Sequence, residues 1–317
     1  MSVLDKLERD RLLAELVSID RLLTGLTADD VVMRYDLEDR RDEVQAAIGE
    51  IADSDQTAAT AALFFGGRPV VASMGIEAEF GGVVVSKFQD LIAKLMVQDS
   101  GLGQRGPVPN KAAAAMHITN VVRGSFGFLM QELQPQTQLV PSGLHFAVDS
   151  ATRLIAAFGS ANEQQFQDAA ADVDQRALAT AGEFFGYLRQ NGATFRLVAA
   201  EQDRSFSSME IAVAADRALS TSVDENEEYI TGYLSGTLPE SHAFEFKGDD
   251  GTLYSGRVDK SIPAHELATW NLSRLNIHTG ATLRVRRVRR TGEVVRETFT
   301  LIGIDPEEQV AHIEITR

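Results

Sequence analysis

The chain has 317 residues, 44% of them hydrophobic and 24% charged, and its 30 basic and 46 acidic residues give a net charge of −16. It contains no cysteine, which excludes disulfides, thiolate metal sites, iron–sulfur clusters and cysteine nucleophiles. No apolar run approaches the roughly 18 residues of a spanning helix, and the N-terminus is charged from Asp5 onward, so the composition predicts a cytoplasmic bacterial protein of two or three domains.

In chain order, residues 3–52 predict a helical hairpin. Leu4, Leu7, Leu12, Leu16, Ile19, Leu23 and Leu26 recur mostly at three or four residues. Thr27 and the acids after it then open a second helix through Val31, Leu37, Val44, Ile48 and Ile51. Charge crowds the flanks, and a narrow seam of this kind is expected to pack on the rest of the chain or on a second copy. Residues 53–60 are small and polar and predict a linker. Strands follow over 60–65 and 70–74 around a Gly-Gly-Arg-Pro turn, then a helix over 80–96 and a Gly/Pro loop over 101–110. A strand pair over 116–122 and 126–133 comes next. Residues 147–190 read as two or three Ala-rich helices broken near Gly159 and Asp172, with a strand over 194–199 and a strand or short helix over 207–219. The order of elements is that of an α+β protein, not of alternating β-α units.

The acidic run 224–228 predicts a domain break. Beyond it, strands are expected over 229–236, 242–247, 253–258, 282–289, 294–302 and 311–316, with a helix over 263–275 between the third and fourth. Tight turns at Asp250-Gly251 and Thr291-Gly292 join them, and the pattern predicts a small closed or half-open barrel. The expected domains are a helical hairpin or coiled coil over 1–55, a mixed α+β domain over 60–223 and a β-rich domain over 229–317.

The chemical motifs are weak. Residues 101–106 match G-x-G-x-x-G, but a helix precedes the motif and Pro107 and Pro109 follow it, so it lacks the strand-to-helix setting that aims backbone N–H groups at a pyrophosphate. Ser125 sits between glycines, yet Arg123 occupies the position where a nucleophile elbow needs glycine. Glu245-Phe-Lys247 has the E-x-K form of metal-dependent nucleases, with Asp249, Asp250 and Asp259 as acids that would have to converge on it. The alternation is equally that of any half-exposed strand. None of His117, His145, His242, His265, His278 and His312 stands at metal-ligand spacing from another, and after His265-Glu266 the second zincin ligand is replaced by Thr269. No cofactor and no metal site are expected.

The most informative stretch is 283–301, a hairpin carrying Arg284, Arg286, Arg287, Arg289, Arg290 and Arg296 in an acidic protein. A local basic surface predicts contact with something negative: phosphates, or carboxylates of this chain or of a partner. Phe299 is the only ring there, which is poor for base stacking, and the overall negative charge repels nucleic acid at long range.

The functional expectation is a non-enzymatic assembly or regulatory subunit acting through protein–protein contacts. Its N-terminal helices would form homo-oligomers or bind a partner protein, with no membrane contact, in a context such as a multi-gene phage-defence system. The alternatives are nucleic-acid binding through the arginine hairpin and a metal-dependent nuclease.

Overall fold

The N-terminal helices form because their apolar residues repeat with the helical period, and the first is capped at its N-terminus. In α1 (Val3–Gly25) the Ser2 hydroxyl accepts the Asp5 N–H at 3.1 Å, and α2 (Val31–Glu50) runs back along it. The computed structural model describes residues 2–27, 30–51, 57–72, 74–97, 111–122, 126–133, 140–199 and 202–305. The chain divides into two units, Met1–Asn162 with Ala179–Leu219, and Glu163–Leu178 with Ser220–Arg317. The expected α+β class holds.

In the first unit, the seam of the hairpin closes on itself. Leu12, Ile19 and Val44 are buried, and Leu16, Leu23, Leu37, Ala47, Ile48 and Ile51 pack against them. Arg40 reaches across from α2 to Glu15 at 2.7 Å. The same unit holds a five-stranded antiparallel sheet ordered β4-β5-β1-β6-β7, built from β1 (Thr60–Gly67), β4 (His117–Val122), β5 (Phe126–Gln131), β6 (Ala193–Val198) and β7 (Asp203–Phe206). Where a strand was expected over 70–74 there are two two-residue strands, β2 (Val70–Val71) and β3 (Gly75–Ile76), paired with each other.

Central strand β1 is buried on both faces. One face packs aromatics: Phe65 stacks on Phe195 at 5.4 Å and meets the edge of Phe80, from α3 (Ala78–Val97), at 5.6 Å. Phe184, from α6 (Gln175–Gln190), meets Phe195 at 5.2 Å. The other face, with Ala62, Phe64, Leu129 and Val198, is covered by Val3 and Leu7 of α1. Arg196 on that face holds Asp10 of α1 at 2.7 Å and Asp203 at 2.9 Å. Gly127 has a packing reason: a Cβ there would lie 2.4 Å from the Phe64 ring. Helix α4 (Gly143–Phe158) starts on Ser142, whose hydroxyl accepts the His145 N–H, and ends where Arg217 donates to the carbonyls of Phe158 and Ser160. The segment expected as strand or helix over 207–219 is helix α7 (Ser208–Ser220), in which Ile211, Ala214 and Ala215 recur at helical spacing and are buried.

The second unit is a closed barrel of β8 (Thr221–Leu238), β9 (Ala243–Gly248), β10 (Leu253–Val258), β11 (His278–Arg290) and β12 (Glu293–Ile304). Its order is β10-β12-β11-β8-β9; only β10 and β12 run parallel, and α8 (Ala264–Ser273) lies between β10 and β11 in the chain. This is the connectivity of a five-stranded Greek-key barrel. Leu234, Phe244, Phe246, Val258, Leu283, Val285 and Leu301 fill it, with Leu267 of α8 as a plug. The turn at Thr291-Gly292 has φ of 49° and 92°, the left-handed pair that matches the twist of a two-residue hairpin.

The acidic run 224–228, expected as a break, lies inside β8 and pairs residue by residue with β11. Asp224, Glu225 and Glu228 pair with arginines of the next strand, so charge density here marks a paired strand and not a linker. The expected strand over 311–316, the loop 101–110, the segment Arg123 to Ser125 and much of the linker 53–60 lie outside the described residues.

Candidate functional site

Strand geometry divides the arginine cluster before any partner is considered. Side chains alternate across a strand, so Arg284, Arg286 and Arg290 share one face of β11 and Arg287 and Arg289 take the other. Arg296 stands opposite Val288, on the first of these faces. The single basic surface expected from composition is therefore two smaller ones.

Both are neutralised within the second unit. On the first face, Arg286 grips one oxygen of Glu225 through Nε at 2.9 Å and Nη2 at 2.6 Å, and donates to the carbonyl of Ala171 at 3.0 Å. Ala171 ends helix α5 (Glu163–Ala171), whose acids supply further partners: Arg290 meets Glu163 at 2.6 Å and Arg296 meets Asp168 at 3.0 Å. Arg284 pairs with Asp259 at 3.0 Å. On the second face, Arg287 lies 2.5 Å from Glu228 and also pairs with Glu297, and Arg289 meets Asp224 at 2.6 Å. Glu228 first and Glu297 second hold the Arg287 guanidinium well above its ordinary pKa. Burial pushes Asp259 up, but hydrogen bonds from Ser261 and Arg284 outweigh it and leave the carboxyl below its ordinary 3.8.

Glu245 and Lys247 are both exposed on β9. Their neighbours across β10 are Ser255 and Leu253. Of the acids that a nuclease centre would need, Asp249 bonds Thr231 and His278, Asp250 bonds Thr252, and Asp259 bonds Ser261 and Arg284. Among the described residues no three His, Asp or Glu side chains gather as a metal site.

The barrel does assemble one row that the sequence does not announce. His278, Tyr233, Lys247 and Leu253 stand side by side on β11, β8, β9 and β10. The Tyr233 and His278 rings meet edge to face at 5.2 Å, and His278 Nε2 lies 3.0 Å from Asp249 Oδ2. Thr231 and then His278 draw the Asp249 carboxyl below its ordinary range. Only the strand register, which no single strand reveals, brings these four together.

A different exposed group lies at the closed end of the N-terminal hairpin. Leu22 near the end of α1 and Val31, Val32, Met33 and Tyr35 at the start of α2 are each between 57% and 77% exposed. The seam inference placed Val31 on the seam, where it is instead exposed, and it missed Leu22, Val32, Met33 and Tyr35, which fall between the seam positions.

No protein-family model, no curated protein and no solved structure matches the chain. Barrel connectivity alone does not assign a function, since one fold carries many.

Proposed function

We propose that the protein is a non-enzymatic assembly or regulatory subunit that engages a partner protein with the tip of its N-terminal helical hairpin. The observation that carries this reading is the cluster of Leu22, Val31, Val32, Met33 and Tyr35, exposed beside a seam that is already satisfied. Three successive residues span about 200° of a helix, so Val31, Val32 and Met33 cannot all turn toward one seam. The exposed side chains are therefore spread around the tip, and a partner that buries them has to enclose it.

Charge narrows the kind of partner. Residues 1–60 carry 7 basic and 15 acidic groups, a net of −8. Such a hairpin is repelled by anionic lipid and by the same hairpin of a second copy. It fits a protein groove with an apolar floor and a basic rim. Nucleic-acid contact through the arginines is less favoured, because each of the six already has a carboxylate partner that a phosphate would have to displace.

The test is native mass spectrometry of the protein isolated at its natural level from its own host. The unmodified chain should carry a stoichiometric protein partner, and the double variant Val32→Glu/Tyr35→Glu should lose it. A chain that isolates free, or a variant that keeps the same partner, would sink the reading.

A further inference from the structure

The two edges of the five-stranded sheet are finished differently. At one edge, β7 is four residues long, and its charged residues are engaged: Asp203 with Arg196 and Lys6, and Arg204 with Glu210 at 2.7 Å. Short length and charge are the usual means of keeping an edge from pairing with another chain. At the other edge, β4 is six residues long and reads His-Ile-Thr-Asn-Val-Val, with no acidic residue, lysine, arginine or proline. Among the described residues it pairs with β5 alone. Ile118 is 50% exposed and Val121 45%.

The strand is held in place for pairing. Gln89 of α3 donates to the carbonyl of Ala114 and accepts the Met116 N–H at 2.9 Å, which fixes the entry into β4. A register shift lies between Ile118 and Asn120, so that Ile118 stands opposite Met130 and Val121 opposite Phe128. Met130 and Phe128 are two apart on β5 and share a face, so Ile118 and Val121 share that face too. In a regular strand a spacing of three would set them on opposite faces.

We propose that β4 is a homodimer interface, pairing antiparallel with β4 of a second copy to continue the sheet from five strands to ten. In the symmetric register Ile118 faces Val121 of the second copy, both on the same side, and Thr119 faces Asn120. Self-pairing requires each strand to tolerate its own charges at close range, and an uncharged strand satisfies this whatever the register. What favours a second copy over an unrelated strand is the bulge, which sets Ile118 and Val121 on one face so that each meets the other across the two-fold. The contact is small, about six ladder hydrogen bonds and one repeated apolar pair, so the dimer is expected to be weak and concentration-dependent. The surface is separate from the hairpin tip, and the two proposals can fail independently.

The absence of cysteine from the chain makes the test direct. Sedimentation equilibrium of the full-length protein from about 1 to 200 μM should show the mass rising from one chain to two. Val121→Lys, which places like charges near the two-fold axis, should weaken dimerisation about tenfold or more. Asn120→Cys, the only thiol in the molecule, should form a covalent dimer on mild oxidation, and this readout stands even if the lysine variant folds poorly. Val32→Glu/Tyr35→Glu should dimerise like the unmodified chain. A monomer at every concentration would mean that the bulge protects the edge, and would overturn the proposal. So would a dimer insensitive to Val121→Lys in which Asn120→Cys does not cross-link, or a dimer abolished by the tip variant.

Discussion

Six arginines crowd β11 and β12, and each lies against a carboxylate of its own unit. At the far end of the sequence, five large apolar side chains crowd the tip of a helical hairpin and stay exposed. Composition draws attention to the first region, whereas chemistry leaves work undone at the second. A charged cluster in a folded protein must be read with its neighbours, because the adjacent strand β8 supplies Asp224, Glu225 and Glu228 as ion-pair partners of the arginines. An apolar cluster has no comparable way to be satisfied except by burial, so its exposure carries more information.

The largest expected effect tests the arginine side of that contrast. Replacing Arg286, Arg287, Arg289 and Arg290 by Ser strips partners from Glu225, Glu228, Asp224 and Glu163 and leaves like charges facing one another. Denaturant unfolding should show the protein less stable by about 3–5 kcal/mol, with Arg286→Ala alone costing about 2 kcal/mol. The unmodified chain should bind neither DNA nor RNA at physiological salt. Tight, salt-dependent binding abolished by the fourfold variant, with stability unchanged, would reverse the contrast.

The hairpin can be divided within itself. Ile19 is buried in the seam and Val32 is exposed at the tip. Ile19→Ala should cost about 2–4 kcal/mol, whereas Val32→Glu/Tyr35→Glu should stay within about 0.5 kcal/mol of the unmodified chain. Equal losses at both places would show that the tip is packed and not displayed.

Periodicity made most elements legible. The hairpin helices, α3, the β4–β5 pair and the three helical segments between residues 143 and 190 follow from apolar spacing and breakers. The barrel followed from turn residues at Asp250-Gly251 and Thr291-Gly292. The acidic run misled because a linker and a strand that faces arginines have the same composition; alternation distinguishes them, and only when two strands are considered together. Alternation along 284–290 would also have divided the arginines into two faces. The His278–Tyr233–Lys247–Leu253 row was beyond reach, since it depends on the registers of four strands.

Acid should separate the paired-charge regions from the apolar seam, with a smaller effect. Asp203 is held below its ordinary 3.8 chiefly by Arg196, and Asp259 lies below the same value through Ser261 and Arg284 despite burial. A carboxyl whose folded pKa lies below its unfolded one stabilises the fold fully above the unfolded value, and loses that contribution as pH falls through the folded one. Stability should therefore be insensitive to these two groups from pH 7 down to about 4 and decline below it. Unfolding curves at pH 7, 5 and 3 would check this, and Asp259→Asn should flatten the decline between the last two. An undiminished decline in that variant would assign the acid sensitivity elsewhere.

The smallest expected effect concerns Glu245 and Lys247, where a third kind of region, an exposed strand face with balanced charge, is compared with the other two. Both side chains are exposed, so neither bears on the barrel core to which the alternating Phe244 and Phe246 contribute. A two-metal or one-metal nuclease would need at least one further carboxylate turned toward Glu245, and the acids nearest in sequence are bonded to Thr231, His278 and Thr252. Glu245→Ala and Lys247→Ala should each change stability by no more than about 0.5 kcal/mol. Each should also leave the biological activity of the full protein intact, measured in whatever cellular assay its deletion affects. Loss of activity in both variants, with unfolding curves unchanged, would mean that this face does chemistry, since exposed residues with no packing role can matter only through what they touch.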